Sequence, residues 1–327
     1  MASYAAVDLG ATSGRVAVGT ISSGKISFEV IHRFSNDPIN DAEYGLLWNW
    51  AKLQEEILVG LRKAIKKYVL TSIAIDSWAV DYQLVNHDGS LNNRVFSYRN
   101  ARLNGVMENT IDRLGREHIY QNTGIQFLPF NTVYQLIAGQ AKGEFGDCQQ
   151  FLMLPDALNY FLCGSLTQEV TNASTTQLLN PVTRDWNWDL IEEIGLPDMI
   201  FPPLHEAGTR LGKIKGHGNL DGIPVVAVGS HDTASAVAAV PMNNPKTSIY
   251  ISSGTWSLIG YEKVRANTSP FAFEIDLTNE LGVLGTVRLL RNVAGMWLLS
   301  ECQRDWAEKG ENIEIEDLIS GARKVPA

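Results

Sequence analysis

The residues best suited to chemistry lie in one run, Gly229-Ser230-His231-Asp232-Thr233, between an apolar stretch and a string of small residues. Val225-Val226-Ala227-Val228, entered through Pro224, reads as a buried strand, and Thr233 onwards as a small-residue helix. His231, Asp232 and Thr233 therefore fall at a strand-to-helix crossing, where ligands bind in open α/β architectures. A carboxylate there can take a proton from a substrate hydroxyl, with the helix N-terminus close enough to tune its charge. Capping of the helix by Asp232 or Thr233 is the commoner role, and on local chemistry alone it comes first.

Three other stretches carry candidate chemistry. Tyr4 to Val7 is a short apolar strand that delivers Asp8 to the turn Leu9-Gly10-Ala11-Thr12-Ser13-Gly14, after which Arg15 opens a second strand. Such a turn can bring N–H groups and hydroxyls up to phosphate oxygens, because glycine permits close approach. Asp8 beside it could hold Mg²⁺ through water. An ordinary hairpin turn is the plain alternative; a Walker A loop is excluded, because Gly-Lys-Ser/Thr is absent and a strand follows. Leu70 to Ile75 delivers Asp76-Ser77-Trp78-Ala79-Val80-Asp81, a tryptophan between two acids. That pattern suits a polyol, which takes a flat apolar face and carboxylates that accept from its hydroxyls; a core tryptophan with turn acids fits equally well. Ser252-Ser253-Gly254-Thr255, between strands at Ser248–Ile251 and Trp256–Tyr261, repeats the plan of strand, small-residue turn, strand. Two such turns on two domains could face each other and hold one polyphosphate.

The elements that must position these groups alternate in kind. After two antiparallel returns, at Arg15–Ile21 and Ile26–Phe34, Trp48 to Tyr68 has the spacing of an amphipathic helix. Tyr82 to Val85 is expected to turn back as a hairpin through Asn86-His87-Asp88-Gly89. Helices are expected near Leu103–Leu114, Asn131–Ala141, from Pro155, after Trp186-Asn187-Trp188-Asp189 and from Gly295, with strands at Phe151–Leu154 and Arg288–Val293, the latter carrying Asn292. Pro241 to Pro245 reads as a linker, so the expected domains are residues 1–243 and 244–327.

Composition narrows the partners. The 327 residues carry 27 Lys and Arg against 36 Asp and Glu, a net charge of −9, and no basic run. Nucleic acid and anionic membranes need clustered cations, so a small-molecule ligand is expected instead. Cys148, Cys163 and Cys302 have no metal spacing and are odd in number, as in a reducing compartment. No apolar run approaches the ~20 residues of a membrane span, and no signal-peptide pattern opens the chain. The expected location is the cytoplasm; oligomeric state is not readable. A dehydrogenase is disfavoured, because no Gly-x-Gly-x-x-Gly opens a helix after a strand.

Taken together, Val7-Asp8-Leu9-Gly10-Ala11-Thr12-Ser13-Gly14-Arg15, Ile75 to Asp81, Gly124-Ile125-Gln126-Phe127-Leu128-Pro129-Phe130-Asn131-Thr132, Ser230 to Ala236 and Ser252 to Leu258 resemble the motifs of the FGGY family of carbohydrate kinases, in family order. The third and fourth resemble the branch acting on L-rhamnulose. The resemblance implies an α/β chain with two domains of the actin-like ATPase (ribonuclease H-like) fold and a cleft between them. It implies transfer of the γ-phosphoryl group of ATP, with Mg²⁺, to the 1-hydroxyl of L-rhamnulose. It further implies Asp232 as general base; Ala79, His231, Thr233 and Asn292 around the sugar; Gly10, Ala11, Thr12, Ser13, Gly14, Arg15 and Thr255 at the phosphates; and Asp8 at the metal. Ala79 stands where glycine is frequent in the family, a methyl group worth about 1 kcal/mol in discrimination, and Ser300 where glutamine is usual. Family members are generally longer, and their further residues include the glycine-rich stretch that holds adenosine. The expectation is thus a chain truncated at its C-terminus with an incomplete second domain. The other readings are a kinase for a neighbouring ketose such as L-fuculose, and a sugar-binding remnant that does not hold ATP.

Overall fold

The sheet that carries Asp8 grows from contacts close in sequence. In the computed structural model, which describes residues 2–244, 247–254 and 256–325, β1 (Ala2–Leu9) returns antiparallel as β2 (Ser13–Ser22) and again as β3 (Lys25–Ser35). Alternation along β1 puts Ala5, Val7 and Leu9 in the core. Helix α1 (Trp50–Ile65) follows, with the Asn49 side chain accepting the Lys52 N–H at 3.1 Å. Its buried face, Leu53, Ile57, Leu61 and Ala64, has the i, i+4 spacing read in the sequence. Gly60 lets this helix close on β2: a Cβ there would stand 2.4 Å from Val16 Cγ2.

β4 (Leu70–Ser77) then lies parallel to β1 with Asp76 beside Asp8 in register. The middle of the chain supplies α2 (Val106–Leu114), α3 (Arg116–Thr123), α4 (Thr132–Ala141), α5 (Leu154–Cys163), α6 (Val170–Ala173) and α7 (Trp188–Ile194). The expected hairpin forms, but it is short: the Asn86 N–H donates to the Ser90 carbonyl at 2.8 Å, Val85 bridges Leu91, and the Asn92 N–H donates to the Leu84 carbonyl at 2.9 Å. The longer partner of Tyr82–Asn86, on its other edge, is Cys148–Met153, which the sequence did not pair with it. Tyr82, Gln83, Leu84 and Val85 are all buried, and Phe151, Leu152 and Met153 supply the apolar partners.

β5 (Arg210–Lys213) and β6 (Pro224–Val226) complete the sheet, whose order is β5-β6-β4-β1-β2-β3, with β6 parallel to β4. β6 stops two residues short of the Val225–Val228 strand read from sequence, and α8 (Asp232–Ala239) begins at the expected crossing. An antiparallel meander continued by parallel strands is the ribonuclease H-like arrangement that the motifs implied.

A second sheet follows: β7 (Tyr250–Ser253), β8 (Trp256–Lys263), then α9 (Pro270–Glu274), β9 (Thr278–Leu281) and β10 (Val287–Ala294), in the order β7-β8-β10-β9, antiparallel throughout. α10 (Trp297–Glu308) and α11 (Ile315–Ala322) end the description. The edge strand β9 is stitched to the preceding unit. The Gly124 carbonyl accepts from the Asn279 backbone and side chain, each at 2.9 Å, and Ser174 Oγ accepts the Leu281 N–H at 2.9 Å. Leu281 and Val287 enter the same apolar cluster as Phe151 and Trp186.

Candidate functional site

Strand ends of both sheets converge on one cavity of about 550 Å³. The first sheet contributes the turn after β1. Its Gly10 N–H donates to the Ser13 carbonyl at 2.8 Å, and buried Asn36 clamps it by donating to the Gly10 carbonyl, also at 2.8 Å. Asp8, Gly10, Ala11, Thr12 and Arg15 line the cavity. Ser13 and Gly14 do not: Gly14 is already in β2, where a Cβ would stand 2.3 Å from the Phe34 ring. Tight packing of strand on strand accounts for that glycine. From the second sheet, Ser252, Ser253 and Gly254 line the same cavity, so the two small-residue turns do face one space. Thr255 lies outside the described residues.

β4 delivers the second wall. Ser77 bridges to His231, its N–H donating to the Ser230 carbonyl at 2.9 Å, while the Trp78 N–H donates to the Leu9 carbonyl at 3.1 Å. Trp78, Ala79 and Val80 then line the cavity. Val80 holds φ +70°, a costly backbone for a β-branched residue. Thr132 Oγ1 and Gln135 Nε2, at 2.7 and 3.1 Å, hold its carbonyl in place. Asp81 follows the structural one of the two readings that the sequence left open. It is wholly buried, with Oδ2 accepting from the indoles of Trp48 and Trp78 at 2.6 and 3.0 Å and Oδ1 from Gln135 at 3.0 Å. Burial pushes its carboxyl up to about 6, against these hydrogen bonds. Of the two acids flanking Trp78, only Asp76 reaches the cavity.

The third wall is the crossing into α8. Buried Glu169, at the head of α6, holds it by accepting the Ser230 N–H at 2.9 Å and the Ser230 hydroxyl at 3.1 Å. His231 takes the N-cap position with no side-chain cap, so neither Asp232 nor Thr233 serves in that role. The Asp232 Oδ1 accepts from its neighbour's N–H at 2.5 Å and from Thr233 Oγ1 at 3.1 Å, leaving Oδ2 unengaged among the described residues. The Asp232 side chain is 37% exposed. Burial lifts its carboxyl above the usual range, and Asp8 adds to that, while His231 and the Thr233 hydrogen bonds work against it. Burial, then the charges of Asp8 and Asp232, push Asp76 well above its ordinary value.

β9 and β10 close the cavity, and besides Asn292 they bring in groups that the sequence does not single out. Glu280 and Arg288 are register partners, both buried, with Nη2 of Arg288 3.0 Å from Oε2 of Glu280. Burial works to raise the Glu280 carboxyl, but the Arg288 charge leads the effects that outweigh it and leave it below the usual value. Asn292 lines the cavity from β10, and Gln126 Oε1 accepts from its N–H at 3.0 Å and its Nδ2 at 3.3 Å. Nothing local marks Glu280, which meets His231 from a distant part of the chain, and the Gly124–Thr132 motif that contains Gln126 does not foretell its bonds to Asn292. An aromatic ledge completes the lining: Phe130 packs between Tyr98 and Trp256 with its ring tilted by 57° to each, centroids 5.4 and 5.6 Å away. Asp8, Ala11, Thr12, Arg15, Ala79, His231, Asp232, Thr233 and Asn292 thus share one space. Ser300, exposed on α10, does not join them.

The arrangement offers a carboxylate with a free oxygen, an apolar ledge and two small-residue turns around one small-molecule-sized space. A divalent cation fits the donor set. Among the described residues no three acidic, histidine or cysteine groups form a complete metal cage, but Mg²⁺ is held by one or two carboxylates plus substrate phosphates. Asp8 and Asp76 are adjacent, the buried Asp76 Oδ1 has no hydrogen-bond partner, and their mutual repulsion is what a cation would relieve. Asp8 otherwise leans on Arg15, whose Nε donates at 2.6 Å.

Residues 3–239 match the family described as the FGGY family of carbohydrate kinases, N-terminal domain. The chain is 43% identical over 316 residues to a rhamnulokinase of Pectobacterium carotovorum, covering 94% of this chain and 63% of that one. It is 40% identical over 306 residues to a rhamnulokinase of Bacillus subtilis, covering 92% and 62%. The chain therefore spans under two thirds of the length of these relatives. Among solved structures, a xylulose kinase from Lactobacillus acidophilus superposes with a TM-score of 0.82 at 16% identity, covering 100% of this chain and 66% of the other. Plasmodium falciparum glycerol kinase with ADP superposes with a TM-score of 0.73 at 13% identity, covering 93% and 64%. At such identities these likenesses speak to fold alone, and the fold shared is the actin-like ATPase fold.

Proposed function

This chain belongs to the FGGY family of carbohydrate kinases, and we propose that it takes part in transferring the γ-phosphoryl group of ATP to the 1-hydroxyl of L-rhamnulose, with Asp232 as general base. The observation that carries the reading is the convergence of the Asp232 carboxylate, the apolar ledge and both small-residue turns on one cavity. The rhamnulokinases at about 40% identity supply the sugar.

The site's own groups suit the parts of that reaction. Trp78, Phe130 and Trp256 offer the flat apolar surface that a sugar ring lies against, while His231, Thr233 and Asn292 offer hydrogen-bonding groups around its hydroxyls. The Oδ2 of Asp232 takes the proton of the attacking hydroxyl as that oxygen bonds to the γ-phosphorus. The bond from phosphorus to the bridging oxygen breaks, and ADP leaves with that electron pair. A carboxylate lifted above the ordinary range accepts this proton more readily than an exposed aspartate. The backbone of Gly10, Ala11 and Thr12, the Arg15 guanidinium and the turn at Ser252, Ser253 and Gly254 are the groups available to phosphate oxygens, and Thr255, next in sequence, is proposed to join them. Magnesium, which Asp8 with Asp76 would hold, neutralises phosphate charge when bound. We further propose that the chain divides into units 1–243 and 244–327, that the protein works in the cytoplasm, and that its partners are the sugar and ATP rather than nucleic acid or membrane. Among the described residues no helix is long and apolar enough to cross a membrane.

The test is ADP release from MgATP with L-rhamnulose, L-fuculose and L-ribulose side by side. Turnover selective for L-rhamnulose is expected. Turnover selective for another ketose would overturn the substrate, and none with any sugar would overturn the activity for this chain.

A further inference from the structure

The geometry points to Arg288 as a positioning residue that fixes which ring nitrogen of His231 carries the proton; this rests on the reading of Asp232 as the base. His231 belongs to the crossing into α8, whereas Arg288 comes from β10 in the other sheet, with no exposed surface. Nη2 of Arg288 lies 3.0 Å from Nδ1 of His231 in hydrogen-bonding geometry. A guanidinium has five donors and no acceptor, and it stays charged in proteins. Nδ1 must therefore be the accepting nitrogen, and the hydrogen of the neutral ring sits on Nε2.

Glu280 makes the choice necessary. Its Oε2 is 3.1 Å from the same Nδ1, and a carboxylate alone there would draw the proton onto Nδ1. Arg288 pairs with that oxygen at 3.0 Å and places its own N–H on the ring nitrogen. Nε2, on the other side, lies 3.5 Å from Asp232 Oδ1 on the cavity wall. The ring so fixed is a donor toward the cavity: it can hold a sugar oxygen or steady the Asp232 carboxylate, and it cannot take the hydroxyl proton at Nε2. That proton is left to Asp232. The base on the first sheet thus acquires its neighbour's polarity from a charge buried in the second.

The tautomer is read by long-range ¹H–¹⁵N correlation on the full chain with ¹⁵N-labelled histidine, His231 being assigned by loss of its signals in His231→Asn. The expected wild-type ring is neutral with its proton on Nε2. In Arg288→Gln the proton is expected on Nδ1, drawn by Glu280, with the other five histidines at their wild-type positions. The kcat for the sugar is expected to fall about tenfold, the scale of one lost hydrogen bond, with KM for ATP unchanged. A wild-type ring protonated on Nδ1 overturns the proposal whether or not Arg288→Gln folds, as does a natively folded Arg288→Gln that keeps Nε2–H. Both spectra are read without sugar or nucleotide, so an inactive chain would sink the kinase reading and leave this one to stand or fall separately.

Discussion

At the residue scale, the central tension is at Asp232, a group that must be ionised to act and is lifted by burial and by Asp8 toward protonation. Groups facing it are Asp8 and Asp76 from the first sheet, His231 beside it, and Glu280 with Arg288 behind the histidine. Because its acid form persists to higher pH than that of an ordinary aspartate, near 3.9, kcat/KM for the sugar should climb with pH through the raised value and level off above it. A pH–rate profile from 4 to 8 checks this; an acid limb at or below the ordinary aspartate value would contradict it. Glu280 has the opposite sign. Its carboxyl is held below the usual value despite burial, chiefly because the Arg288 guanidinium favours its charge. The stability it contributes is therefore present above the unfolded-state pKa and lost as pH falls through the depressed one. Glu280→Ala leaves Arg288 buried without its counter-charge, and a loss of about 3–5 kcal/mol is expected by urea denaturation at pH 7. A loss below about 1 kcal/mol would mean that water or another group compensates.

At the element scale, the site depends on strand ends that cannot shift, and tight seams hold them. α1 reaches β2 only because residue 60 is glycine. Gly60→Ala should cost about 1–3 kcal/mol of stability through overpacking, measured as a lower denaturation midpoint with unchanged slope; an unchanged midpoint would show that Val16 can yield. The elements that the sequence makes legible are those whose logic is local. β1 with its turn and β2, α1 with its i, i+4 face, and the crossing at Asp232 all come from patterns within about twenty residues. What stayed hidden depends on pairing across the chain. Tyr82–Asn86 is one arm of a short hairpin, as its Asp88-Gly89 turn suggests, but its longer partner, Cys148–Met153, comes from far along the chain and has no local mark. Asp81, which the sequence leaves open between a ligand and a structural acid, is the acceptor for two indoles. Glu280, Arg288 and Glu169 sit in strands or at a helix start with no motif, and only the fold brings them to His231 and Ser230; Gln126 lies inside the Gly124–Thr132 motif, which does not foretell its hydrogen bonds to Asn292.

At the scale of the whole molecule, two sheets share one cavity, so a ligand that touches both should stabilise the assembly rather than one part. At a free concentration 100 times Kd, L-rhamnulose should add about 2.7 kcal/mol to the unfolding free energy by linkage, seen as a rise in Tm; no rise at any concentration would mean that the sugar does not bind the folded chain. The contacts that stitch β9 to Gly124 and Ser174 lie close to the cavity lining at Thr278 and Glu280, so unfolding should remain a single transition with sugar bound. The most direct test of the account is Asp232→Asn followed by two readings on the same sample, sugar affinity by calorimetry and phosphoryl transfer in a single turnover with MgATP. The account predicts binding of L-rhamnulose within a fewfold of wild type and transfer slowed by at least about 100-fold, the scale of a lost general base. Transfer at near wild-type rate would contradict it, because the proton of the attacking hydroxyl would then be going elsewhere.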